Sequence, residues 1–89
     1  MASRPDLSEN GIRAFCRHYL KKTLKLDPDT IAGDAPFASI GLDSAESVFL
    51  VSALAGWSGL DLPAELAMDH PSLDELVRAV AAQVPPGAG

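Results

Sequence analysis

Gly41-Leu42-Asp43-Ser44 stands in the middle of the chain, at the mouth of an apolar run through Val48, Leu50, Val51, Leu54 and Ala55. The run has helical spacing, so the tetrapeptide places a serine hydroxyl at a helix start. A helix start has free backbone N–H groups and the positive end of the macrodipole, which stabilise an anion. A phosphate attached to Ser44 would sit among them, so Ser44 reads as an attachment point for a phosphate-bearing group. Asp43 or Ser44 caps this helix, since both residue types accept an N–H of the first turn.

Working outward, the second helix is expected over residues 44–57. Val48, Val51 and Ala55 join Leu50 and Leu54 in a broad buried face, with Leu50 and Leu54 central to the core. Gly56 and Gly59 flank its end, and Leu60-Asp61-Leu62-Pro63 leads away. Upstream, a first helix is expected over residues 8–26, with Ser8 as its cap and Glu9 in its first turn. Ile12, Phe15, Cys16, Tyr19, Leu20 and Leu24 form its apolar face. Arg13, Arg17, Lys21 and Lys25 recur every four residues and read as a solvated face. Asp27-Pro28-Asp29 ends this helix. The connection from there to Asp43 is long for a small domain, and Ile31, Phe37 and Leu42 are expected to anchor it to the core. Downstream, residues 65–69 read as a short helix stopped by His70-Pro71. Ser72 and Glu75 then form a capping-box pattern opening a last helix, whose apolar face is Leu73, Leu76, Val77, Val80 and Val84. Alternating β-branched runs are absent, so no strands are expected and the chain reads as all-α. The final Pro85-Pro86-Gly87-Ala88-Gly89 reads as a flexible tail or linker stub.

With 89 residues the chain is expected to form one domain, with a core at residues 7–84. A domain this small has little room for a deep cleft beside a scaffold, which argues against an independent enzyme. Aromatic residues make up only 6%, so the core must be built of Leu, Val, Ile and Ala. The one cysteine, Cys16, leaves no disulfide within the chain and fits a cytoplasmic location. The start of the chain has no apolar segment of signal-peptide type, and no stretch is long enough to span a membrane.

Net charge is −5, unevenly distributed. Residues 1–25 carry six Lys and Arg against Asp6 and Glu9, whereas residues 26–89 carry ten carboxylates against Arg78 alone. The acidic part contains Ser44, which argues against nucleic acid and favours basic protein surfaces as partners. Asp43, Ser44 and His70 are the residue types of a hydrolase triad. The G-x-S-x-G elbow is absent, however, and His70 reads as a loop residue fixing the turn into the last helix. Cys16 and His18 lie two apart, off a common helical face and without a second pair, so no metal site is expected. Cys16 reads as a small core residue and Trp57 as a core plug at the end of the second helix.

Taken together, Gly41-Leu42-Asp43-Ser44 with Val48 and Leu50, Pro36-Phe37 upstream, and Leu62-Pro63 with Asp69-His70-Pro71-Ser72 downstream resemble an acyl carrier protein of the polyketide and fatty-acid synthase type. The resemblance covers residues 7–84. It implies a small four-helix bundle, three longer helices and a short third one, with a long loop between the first two. It implies that Ser44 carries 4′-phosphopantetheine, placed there from coenzyme A by a phosphopantetheinyl transferase with Mg²⁺, and that Asp43 contacts the transferase. The arm's thiol would hold acyl intermediates as thioesters. The partners implied are the transferase, a loading acyltransferase or acyl-adenylate ligase, and a ketosynthase or other acyl-processing enzyme. A monomer is expected. Leu42, Ala45, Glu46, Phe49, Glu65 and Met68 are the expected docking residues.

The chain departs from the family pattern at several positions. Ala45 follows the serine where Leu is common. Phe49, Ala55 and Gly56 stand where acidic residues are common, leaving Glu46 as the only carboxylate inside the second helix. Phe49 is then either an exposed apolar docking contact or packed against the long loop. Trp57 and Gly59 resemble polyketide-type carriers, including those fed by acyl-adenylate ligases. Two other readings compete. A peptidyl carrier has the same arm but more often a second Gly where Leu42 stands. A helical interaction module without a prosthetic group leaves the serine after Gly-Leu-Asp unexplained.

Overall fold

The computed structural model describes residues 6–25, 27 and 32–85. The expectations placed on Leu26, Pro28, Asp29, Ile31 and the tail beyond Pro85 fall outside these residues. Four α-helices and one 3₁₀ turn account for the regular structure: α1 (Glu9–Leu24), the turn (Phe37–Ile40), α2 (Ser44–Ser58), α3 (Leu66–Asp69) and α4 (Leu73–Ala82). No strand forms among the described residues. The all-α, four-helix architecture with a long first loop is the one expected.

Each long helix starts on a side-chain cap. Ser8 Oγ accepts the Gly11 N–H at 3.3 Å, and Ser72 Oγ accepts the Glu75 N–H at 3.3 Å. The return bond of the Ser72–Glu75 box, from the backbone N–H of Ser72 to the Glu75 carboxylate, is absent among the described residues. Helix α1 stops at Leu24 because Lys25 turns left-handed, with φ of 58°, and donates its N–H to the Leu20 carbonyl. Helix α2 runs through Gly56 and closes on Gly59.

Ile12, Cys16 and Leu20 of α1 pack against Leu73, Leu76, Val77 and Val80 of α4, all buried. Leu50, Val51 and Leu54 of α2 complete the core with Leu66 and Ala67 of α3. Val48 and Ala55, expected in the buried face, are only half-buried. Ser47, Leu50, Val51 and Leu54 lie at i, i+3, i+4 and i+7 and form one line, and Val48 and Ala55 stand about 100° to its side. Val84 is likewise half-buried, beyond the end of α4. Phe15 stacks on Trp57 with ring centroids 4.6 Å apart, which joins the middle of α1 to the end of α2.

The long connection is fastened rather than loose. Phe37 and Leu42 are buried, as expected of anchors. The Phe37 N–H donates to the Pro71 carbonyl at 2.6 Å, and the Asp74 N–H donates to the Gly33 carbonyl at 2.9 Å. These bonds tie the loop to the entry of α4, where Pro36 and Ser72 form an isolated antiparallel bridge. Arg13 Nη1 donates to Asp74 Oδ1 from across the bundle, so the first member of the basic stripe is paired rather than solvated. Gly33 is required by close approach, since a Cβ there would collide with the Asp74 carboxylate.

Candidate functional site

Each residue of Gly41-Leu42-Asp43-Ser44 has a distinct mechanical task. Gly41 ends the 3₁₀ turn at φ of 90°, a conformation strained for any residue with a Cβ. Leu42 donates its N–H to the Phe37 carbonyl at 3.0 Å and is 4% exposed, so it pins the chain to the core immediately before the helix. Asp43 is the N-cap: its Oδ1 accepts the Glu46 N–H at 2.8 Å, and Glu46 Oε1 accepts the Asp43 N–H at 3.3 Å. This reciprocal box resolves the choice between Asp43 and Ser44, because Glu46 stands three residues after Asp43. Ser44 is therefore the first helical residue. Its side chain is exposed, and its hydroxyl makes no hydrogen bond to any described residue.

Beside Ser44 lies a depression of about 240 Å³ between the 3₁₀ turn, the start of α2 and α3. Phe37, Leu42, Ala67 and Met68 give it apolar walls, with Ser44 and Ser47 among its polar lining. Ser47 was not singled out in the sequence. It is 6% exposed, and its hydroxyl makes no hydrogen bond to a described residue. A serine inside a helix either bonds the carbonyl four residues back with its hydroxyl or points it away from the helix. Here the Asp43 carbonyl accepts the Ser47 N–H at 3.0 Å, and the hydroxyl opens on the depression.

The expected docking residues divide by exposure. Ala45, Phe49, Glu65 and Met68 are exposed and Glu46 is half-buried. Leu42 is a core anchor and wall of the depression, not a projecting contact. Phe49 is 61% exposed, so it does not pack on the long loop, and Met68 is 50% exposed. They are the exposed large hydrophobic side chains among the described residues, and both lie on α2 and α3 near Ser44.

Asp43, Ser44 and His70 do not form a catalytic chain. The Asp43 carboxylate is committed to its cap, and no hydrogen bond joins His70 to Ser44 among the described residues. Cys16 is fully buried, and burial pushes its thiol up to about 12. No cluster of three or more metal-ligating side chains occurs among the described residues, and no helix among them is long and apolar enough to cross a membrane.

Residues 17–80 match the family model described as a phosphopantetheine attachment site. The chain is 39% identical over 61 residues to the spectinabilin polyketide synthase system protein NorB of Streptomyces orinoci, a span of 68% of this chain and 3% of that protein. It is 28% identical over 79 residues to acyl carrier protein TtuC of Teredinibacter turnerae, covering 89% of this chain and 91% of that one. Among solved structures, it resembles a free-standing peptidyl carrier protein from an uncharacterized secondary metabolic pathway of Acinetobacter baumannii. The TM-score is 0.79 at 25% identity, over 90% of this chain and 100% of that one.

Proposed function

The chain belongs to the phosphopantetheine attachment family of carrier proteins, and from that premise we propose that Ser44 bears the 4′-phosphopantetheine and that the cargo is acyl. The observation that carries the assignment of Ser44 is its place as the first residue of α2, exposed and with an uncommitted hydroxyl, because Asp43 supplies the cap. A serine that capped its own helix would lose that bond on modification; Ser44 has none to lose. The free N–H groups of the first turn favour the phosphodiester that results. Asp43 holds the helix start in place and offers the transferase a carboxylate next to the reacting oxygen.

When bound, the arm supplies a thiol that holds the cargo as a thioester. The chain's own residues do the rest. They fix the attachment point and present a docking surface, so that each transfer within a docked complex becomes effectively intramolecular. The chain itself then needs no catalytic group. Phe49, Met68 and Ala45 offer partners an apolar surface beside Ser44, and Glu46 and Glu65 add carboxylates. The partners are a phosphopantetheinyl transferase, an acyltransferase or acyl-adenylate ligase that loads the arm, and a ketosynthase or similar enzyme.

Leu42 and the acyl carrier and polyketide relatives support acyl cargo. The likeness to a peptidyl carrier structure favours a second reading, aminoacyl cargo on the same arm. Incubation with coenzyme A and a broad-specificity transferase, followed by intact mass, tests the attachment. One phosphopantetheine is expected on the wild type and none on Ser44→Ala. No gain where a control carrier is modified, or a gain that survives in Ser44→Ala, would refute it. Parallel loading with acyl-coenzyme A thioesters, and with amino acids and an adenylating ligase, then separates the two cargo classes.

A further inference from the structure

We infer that the C-terminal half of α1 is a separate interaction surface, one that takes a carboxylate-rich patch on a partner protein, with Arg17 as its anchor. The inference stands apart from attachment at Ser44 and from the exposed stripe of α2. Residues 10–25 hold Arg13, Arg17, Lys21, Lys22 and Lys25 and no carboxylate. Arg13 is used inside the fold, on Asp74. No ion pair joins the other four to a described residue. Lys21, Lys22 and Lys25 are exposed, and with His18 they line a depression of about 350 Å³. These four stand at i, i+3, i+4 and i+7 and so share one face of the helix.

Stability alone does not account for this arrangement. Cations in the last turn of a helix offset its macrodipole, which explains Lys21 and Lys22. It does not explain Arg17, a full turn earlier. Arg17 and Lys21 are a like-charge pair at i, i+4, which opposes the helix where a glutamate at the first position would support it. Arg17 is half-buried, and its Nε is out of water without an acceptor. Burying such a donor is unfavourable unless the group gains partners elsewhere. The packed stem limits the positions open to the planar head. Its two terminal nitrogens bond no described residue and can meet a carboxylate end-on.

The occupant follows from charge. A second copy of the chain carries −5 and is repelled at long range, as is nucleic acid. A membrane contact needs apolar side chains among the cations, and the lining of this face is His18, Lys21, Lys22 and Lys25. A protein surface can set carboxylates against α1 and cations against the acidic remainder of the chain, and so match both parts of its uneven charge.

The test titrates the ¹⁵N-labelled whole chain with a capped hexaglutamate peptide at low ionic strength. Saturable shifts are expected at the amides of His18, Lys21, Lys22 and Lys25, with those of Phe49 and Met68 unmoved. Lys21→Gln combined with Lys25→Gln should weaken the affinity about five-fold at an unchanged melting temperature. Arg17→Lys, which keeps the charge and loses the planar fork, should weaken it about two-fold. Full affinity in Arg17→Lys overturns the anchor role of Arg17. Full affinity in the double variant, or a wild type without shifts, overturns the surface itself. Tighter binding of a hexanucleotide or of phosphatidylserine vesicles than of the peptide overturns the protein partner. Salt-sensitive self-association in sedimentation equilibrium, abolished in the double variant, overturns it in favour of a second copy.

Discussion

Helices α2 and α4 both bury leucine and valine, yet their outer faces differ. Helix α4 turns Leu73, Leu76, Val77 and Val80 inward and shows Glu75, Arg78 and Ala82 to solvent, the division of a finished surface. Helix α2 turns Ser47, Leu50, Val51 and Leu54 inward and shows Ala45, Phe49, Ser52 and Gly56 outward, with Glu46 as its only charge. Its polarity is inverted in part, with a hydroxyl inside and a phenyl ring outside. A helix apolar on all sides is ordinarily buried. Here the outer stripe is uncovered, with Phe49 exposed, which is the basis for proposing it as a docking surface.

The sharpest break of this comparison comes from the inner faces, where the two helices should behave alike. Leu54→Ala and Leu76→Ala should each cost roughly 2–5 kcal/mol in denaturant unfolding, as for a fully buried leucine. Domains of this kind hold only about 5–15 kcal/mol in all, so either change should lower the melting temperature clearly. A small loss at Leu54 alone would show that α2 is not part of the cooperative core.

A smaller effect is expected at the helix entry. Asp43→Ala removes the cap and should cost about 1 kcal/mol. Asp43→Asn keeps an oxygen acceptor and should hold the stability within a few tenths of that of the wild type. If Asp43→Asn is still modified more slowly by the transferase, the carboxylate acts on the enzyme and not only on the helix. Equal modification rates would confine Asp43 to capping.

The smallest effect on stability, within about 0.5 kcal/mol, belongs to the outer face, at Phe49→Glu. There the comparison predicts a separation of readouts, with melting unchanged and turnover by partner enzymes reduced. Unchanged turnover would mean that the bare stripe of α2 is not a docking surface.

Much of this was legible from local chemistry. Ser8 and Ser72 announce their helices because a short hydroxyl before an apolar run has few other uses, and both cap as expected. Ser44 was legible by position, although the cap itself belongs to Asp43, a distinction already encoded in Glu46 three residues on. The polarity of Ser47 does not by itself mark a buried position. Its spacing from Leu50, Val51 and Leu54 was the signal that placed it on the inner line. What local sequence could not reveal is non-local. The bonds from Phe37 to Pro71 and from Asp74 to Gly33, and the pairing of Arg13 with Asp74, join segments far apart in the chain. The 3₁₀ turn at Phe37–Ile40 starts on the same scaffold, through Phe37.

Cys16 has a consequence for the cargo. An acyl group on a tethered thiol faces every other thiolate of its own molecule at high effective concentration, and thiol–thioester exchange would let it migrate to a dead-end position. Only the thiolate attacks, and Cys16 is sealed between α1 and α4 with its thiol held protonated. The folded carrier therefore has one chemically competent sulfur, the one on its arm. Exchange of a thioester from the arm onto Cys16 is thereby closed.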